Sequence, residues 1–222
     1  MDIQTYKYPR TPHLPWSLGV QDDDIQKKTA EMKGWQGQLV VVTEKMDGEN
    51  TNLYSNGFLH ARSLDSRDHV SRHWVKQWWS ERAHELPSGW RVCGENLYAR
   101  HTIAYDELPH YFMGFSVWDE NNRCLDWDQT LHWFEKLGIE PVNVLYEGVF
   151  DEKHLRQLAK TLDTKRVEGY VMRSRGAFEG SEFAQHMAKM VRKGHVQTDQ
   201  HWMHQAVVPN QLRDQKMDFK MK

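Results

Sequence analysis

Eight short segments rich in β-branched and aromatic residues recur along this 222-residue chain, and only three helical stretches interrupt them. The strand readings are residues 38–44, both arms of a hairpin over 51–63 turning at Asn56-Gly57, and 90–98, 111–119, 141–148, 167–174 and 186–193. The helical readings are 71–86, with apolar residues at Trp74, Val75, Trp78, Trp79 and Ala83, then 126–138 and 151–162. The second has Asp126 or Asp128 as its N-cap and Gly138 as its stop. Strands and helices that do not alternate strictly argue for an α+β fold. Residues 1–20, with Pro9, Pro12 and Pro15, read as an extended lead-in, and about 197–222 as a polar tail.

Charge narrows the function classes. A net charge of -2 predicts no bulk attraction to nucleic acid or membrane, so any polyanion site must come from local clustering of basic residues. No apolar run reaches the roughly 20 residues that span a bilayer. Two cysteines, Cys93 and Cys124, without a CxxC spacing, fit a reducing cytoplasm and no disulfide framework or cysteine zinc site. His69 and His73 stand four apart, as zinc ligands do on a helix, but no third ligand is apparent. The Trp74/Trp78/Trp79 cluster reads as helix-to-sheet packing, with base stacking as its alternative.

The stretch VVTEKMDGEN, residues 41–50, sets a lysine between a buried-looking strand and an Asp-Gly turn. A free lysine is almost wholly protonated at neutral pH, so it attacks only where desolvation or a neighbouring cation or metal lowers its pKa. Taken locally, Lys45 is either a solvated hairpin residue or a catalytic amine.

Lys45-Met46-Asp47-Gly48-Glu49-Asn50 matches KxDGxN, the signature of the covalent nucleotidyltransferases: DNA and RNA ligases and mRNA capping enzymes. Further segments resemble that superfamily's motifs in order. HARS (60–63) offers Arg62, CGENLY (93–98) offers Glu95, and YFMGFSVWD (111–119) offers Phe115. VEGYVMR (167–173) offers Glu168, and AKMVRK (188–193) offers Lys189. Over roughly residues 38–202 the chain is most similar to type 2-like ATP-dependent RNA ligases. The basic segment departs from their common KxK: Met190 and Val191 follow Lys189, so the second cationic role falls to Arg192 or Lys193.

The resemblance implies a nucleotidyltransferase fold, ATP-grasp-like, with two mainly antiparallel sheets flanked by helices around an ATP pocket. It implies such a domain over 1–196, then a short tail over 197–222 with no OB-fold. Lys45 would attack the α-phosphorus of ATP, giving lysyl-AMP, and then 5′-adenylylated RNA would be sealed by a 3′-hydroxyl. Lys189, with Arg192 or Lys193, would hold α-phosphate oxygens, and Arg62 the ribose side or a nucleic-acid phosphate. Glu95 would accept from ribose hydroxyls and Phe115 would stack on adenine. The backbone of Glu44 would read the base edge, and Asn50 completes the motif in the nucleotide site. Glu168 and Asp47 would serve Mg²⁺ or Mn²⁺. The expected partner is RNA with 5′-phosphate and 3′-hydroxyl ends, in RNA repair in the cytoplasm. A chain of this size would bind RNA weakly or need a partner subunit. The alternatives are a DNA ligase, a capping-type guanylyltransferase, or a non-catalytic RNA-binding protein on a ligase fold.

Overall fold

A computed structural model describes residues 3–163, 165–194 and 206–214; the aromatic tail segment at 196–205 lies outside them. The elements, in chain order, are β1 (Leu39–Lys45), β2 (Glu49–Tyr54), β3 (Leu59–Ala61), α1 (His73–Ser80), β4 (Arg91–Asn96) and β5 (Phe112–Trp118). There follow β6 (Arg123–Cys124), α2 (Trp127–Leu137), β7 (Glu140–Pro141), β8 (Val144–Val149), α3 (Glu152–Thr161), β9 (Gly169–Ser174), β10 (Phe178–Glu179), α4 (Phe183–His186) and β11 (Met187–Val191).

They build two sheets. The four-stranded sheet runs β11-β9-β1-β8, antiparallel throughout. The seven-stranded sheet runs β10-β6-β5-β4-β2-β3, with β7 pairing parallel to β5. The expected hairpin over 51–63 forms, with Gly57 at φ 84° in its turn. Asp126 caps α2 by accepting from the Gln129 N–H at 2.8 Å, and Gly138 ends it at φ 62°.

Three sequence expectations change. The chain does not turn back on itself after Lys45: β1 belongs to one sheet and β2 to the other, so Met46–Gly48 is a crossover. Gly48 is needed there because a Cβ would lie 2.6 Å from the Asn96 carbonyl oxygen. The apolar stretch 141–148 also divides, giving β7 to one sheet and β8 to the other. The helix expected over 71–86 is α-helical only from His73 to Ser80. The Arg82 N–H bonds the Trp79 carbonyl three residues back, and its guanidinium takes the Trp78 carbonyl, so the helical ladder stops.

Period-two alternation decides what each strand face meets. On the four-stranded sheet, Val40, Val42, Tyr170, Met172, Ala188 and Met190 pack outward against Trp35 and Leu155. On the other sheet, Leu53, Val92 and Val117 pack outward with Val75 and Trp79 of α1 and Phe134 and Leu137 of α2. Trp74 and Trp78 stack 5.8 Å apart and join this cluster, so the tryptophans pack the helix on the sheet. The opposite faces, carrying Thr43, Lys45, Val171 and Lys189, look into the space between the sheets.

Two further segments dock on this frame. Residues 12–14 run along β11: the Lys189 N–H donates to the Pro12 carbonyl at 2.8 Å and the Leu14 N–H to the Lys189 carbonyl at 2.7 Å. Asn210, 3% exposed, donates to the Leu97 carbonyl and accepts from the Tyr105 N–H, tying the 97–111 loop down.

Gly169 at the head of β9 is a tight point, since a Cβ would sit 1.9 Å from the Met190 carbonyl oxygen. Gly169→Ala must push β9 from β11. It is expected to cost about 1–3 kcal/mol, the usual range for overpacking, read as a lower urea midpoint at unchanged m-value.

Candidate active site

A cleft of about 830 Å³ opens between the sheets, and Lys45 lies on its floor. As the last residue of β1, Lys45 pairs with Gly169 of β9, which brings Glu168 under the ammonium. Lys45 Nζ stands 2.7 Å from both Glu168 oxygens, although the two residues are 123 positions apart. Glu168 is 0% exposed. Burial acts to lower the Lys45 pKa, but Glu168, Glu95 and Asp47 together outweigh it and hold the amine above its ordinary value. The resting lysine is therefore held as an ammonium by the carboxylates around it.

Asp47 follows on the crossover. Its Oδ2 accepts from the Ile103 N–H at 2.6 Å, and its own N–H donates to Tyr105 Oη at 2.9 Å. Glu95 lies on β4, paired in register with Asn50 of β2, and accepts from the Gly48 N–H at 3.2 Å. Burial pushes the Glu95 carboxyl up to about 8; Lys45 opposes the rise, while Glu168 and Asp47 add to it.

That shift ties stability to pH. An unfolded glutamate ionises near 4.5 and the folded one near 8, so the folded state keeps a proton that the unfolded chain releases between those values. The stabilisation is complete below about pH 4.5 and is lost as pH rises through about 8. Glu95→Gln is expected to flatten this decline. Urea midpoints of both proteins, measured with chelator present at about pH 5 and about pH 9, check it.

Lys189 lies on β11 in register with Val171 of β9. Burial, then the like charge of Lys45, lowers its pKa, against Asp24 and Glu168. Phe115 of β5 and Val171 of β9 both line the cleft, each packed against the same Tyr8-containing cluster. Glu44 takes a hydrogen bond from Asn143 Nδ2 at 2.8 Å, and its N–H donates to the Asn143 carbonyl. Arg62 follows β3 at the mouth of the cleft, half-buried.

Glu44, Lys45, Asp47, Asn50, Arg62, Glu95, Phe115 and Lys189 thus line one cavity, with Glu168 directly beneath Lys45. Arg192 is not part of the lining. β11 ends at Val191, so Arg192 and Lys193 lie beyond the strand rather than on alternate faces of it. The Arg192 N–H donates to the Glu168 carbonyl at 3.0 Å, which braces the loop carrying that acid.

Sequence reading missed three contributors. Arg173, 3% exposed, is the inward cation on β9, and it donates to the Leu125 carbonyl at 2.7 Å. Its signal was strand parity with Val171. Tyr8 comes from the lead-in and Asp24 from the acidic stretch just after it, and neither carried a periodicity to read. His69 and His73 do not form a metal pair: His69 caps a short 3-10 turn before α1, and exposed His73 stands 3.5 Å from Asp68. Among the described residues no cluster of three or more His, Cys, Asp or Glu could hold a metal ion. Asp47 and Glu168 supply two carboxylates, so a divalent ion would complete its shell with phosphate oxygens and water, as Mg²⁺ commonly does. Among the same residues no helix is long and apolar enough to cross a membrane.

The cleft lies between two mainly antiparallel sheets, and solved structures of the ligase nucleotidyltransferase fold superpose on this chain. An archaeal ATP-dependent RNA ligase does so with a TM-score of 0.57 at 17% identity, over 85% of this chain and 48% of that one. A putative ATP-dependent DNA ligase from Aquifex aeolicus gives 0.54 at 19% identity, over 85% and 50%. A mutant RNA ligase from Naegleria gruberi, solved with ATP and Mn, gives 0.54 at 14% identity, over 78% and 56%. The chain therefore spans about half the length of these proteins. No curated protein sequence matches it. The sequence profile of the RNA ligase family matches residues 38–191, and the chain belongs to that family.

Proposed function

We propose that this protein is an ATP-dependent RNA ligase that joins 3′-hydroxyl and 5′-phosphate ends through lysyl-AMP and 5′-adenylylated RNA, in RNA repair. The observation that carries this reading is the placement of Lys45 Nζ on the cleft floor, 2.7 Å from both oxygens of Glu168.

The chemistry is three in-line displacements at phosphorus. The deprotonated Lys45 amine bonds to the α-phosphorus of ATP, the bond to the bridging oxygen breaks, and pyrophosphate leaves. An RNA 5′-phosphate oxygen then attacks the same phosphorus, the P–N bond breaks, and Lys45 recovers a proton. A 3′-hydroxyl finally attacks the RNA phosphorus and AMP departs. Positioning and charge neutralisation dominate such steps. Lys189 neutralises α-phosphate oxygens from its strand position beside Val171. Phe115 and Val171 hold the base, Glu95 and Arg62 the ribose side, and the Glu44 backbone the base edge. Asp47 and Glu168 would hold a divalent ion, whose chemistry would be to withdraw charge from the phosphates.

The DNA ligase likeness keeps a second reading open to the same experiment. Protein incubated with α-labelled ATP and Mg²⁺ or Mn²⁺ should become covalently labelled, whereas GTP and NAD should not serve. The adenylylated protein should then seal nicked RNA faster than nicked DNA. Absence of label with every nucleotide and metal overturns the ligase reading, and preference for DNA nicks overturns the RNA assignment.

A further inference from the structure

The cleft holds two inward lysines, and each has a carboxylate of its own. Lys45 has Glu168, from the strand beside it. Lys189 has Asp24, which comes from the acidic stretch just after the N-terminal lead-in: Asp24 Oδ1 stands 3.6 Å from Lys189 Nζ. Both are mostly sheltered, at 15% and 19% side-chain exposure.

Asp24 is fixed from several sides. The His13 N–H donates to the Ile25 carbonyl at 2.7 Å and the Lys27 N–H to the His13 carbonyl at 2.8 Å, so residues 25–27 run beside the segment that pairs with β11. Asp24 Oδ2 accepts from the Gln21 N–H at 3.1 Å and lies 3.0 Å from Nε2 of His13, a ring that is 1% exposed. His13 Nδ1 is 2.7 Å from Ser17 Oγ, which accepts from the Val191 N–H at 2.9 Å. A chain Ser17–His13–Asp24–Lys189 thus leaves β11 at Val191 and returns to it at Lys189. Burial pushes His13 down to about 4, so the ring is neutral and Asp24 keeps its charge for the lysine.

We propose that Asp24 is a positioning residue for Lys189: braced by His13 and Ser17, its carboxylate aims the ammonium at the α-phosphate and away from Lys45. This rests on the reading of Lys189 as the phosphate-neutralising cation. At 3.6 Å the carboxylate attracts the ammonium directly and orients it. Partners of this kind, one step removed from the reacting group, typically change activity by about 10–100-fold when lost at metal sites.

The test is single-turnover formation of the covalent AMP adduct by wild type, Asp24→Asn, Asp24→Glu and Lys189→Ala. Asp24→Asn is expected to lower the rate constant about tenfold at full amplitude, with KM for ATP changed less than about threefold; Asp24→Glu is expected to recover most of the rate. A merely structural role would reduce the amplitude, through loss of folded enzyme, at an unchanged rate constant. An unchanged rate constant, or a faster one, in Asp24→Asn while Lys189→Ala is strongly impaired overturns the positioning role alone. Full activity in Lys189→Ala overturns the phosphate role of Lys189 itself and the proposal with it.

Discussion

Lys45→Ala is expected to abolish covalent labelling by ATP and to weaken the fold. The first effect follows from the reaction, because Lys45 Nζ is the amine set on the cleft floor 2.7 Å from both Glu168 oxygens. The second follows from burial. Glu168 is 0% exposed, and removing one member of a buried ion pair commonly costs about 3–5 kcal/mol while the remaining charge stays ionised. Lys45→Arg separates the two effects. A guanidinium keeps the charge and can bridge both carboxylate oxygens, yet it is not a nucleophile at usable pH. The arginine variant should therefore unfold at a higher urea midpoint than the alanine variant and remain unlabelled. An alanine variant that still takes up AMP would remove Lys45 from the mechanism.

Glu168→Gln should lower the rate of adenylylation by about 10²–10³-fold, the range seen when one preorganised electrostatic group is removed. It should also move the pH dependence. In the wild type, burial lowers the Lys45 pKa but the carboxylates more than reverse that, with Glu168 the largest of them. A neutral amide leaves burial less opposed, so the Lys45 pKa falls and the rising limb of the pH–rate profile shifts to lower pH. Single-turnover labelling from neutral to alkaline pH, at saturating Mg²⁺ or Mn²⁺, reads both effects. A slower variant with an unmoved limb would mean that Glu168 does not set the proton affinity of the nucleophile.

Much of this site was legible because strand parity is local information. The alternation in 167–174 sets Val171 opposite to Tyr170 and Met172, and that in 186–193 sets Lys189 opposite to Ala188 and Met190, while the pairing of the two strands puts Val171 and Lys189 on one face. The same parity, applied to VVTEK, sets Lys45 on the face of Thr43 and away from Val42 and Val40. Caps were local too, which is why Asp126 and Gly138 bound α2 as expected. The extent of α1 was not local, because a competing guanidinium at Arg82 ended it early.

The sequence by itself determined most of the strand and helix segments, the side-chain alternation within each strand, and the ordered motifs that mark the chain as a member of the RNA ligase family. Only the tertiary structure decided which sheet each strand joins. It made the Asp-Gly step after Lys45 a crossover instead of a hairpin, and divided 141–148 between two sheets. It also set Glu168 under a lysine 123 residues away, and carried Asp24 to Lys189 from an acidic stretch past the proline-rich lead-in, with no pattern of its own. The reason is physical. Periodicity acts over a few residues, whereas the choice of strand partner and the pairing of buried charges depend on loop closure and desolvation. Those costs are settled only when the whole chain packs.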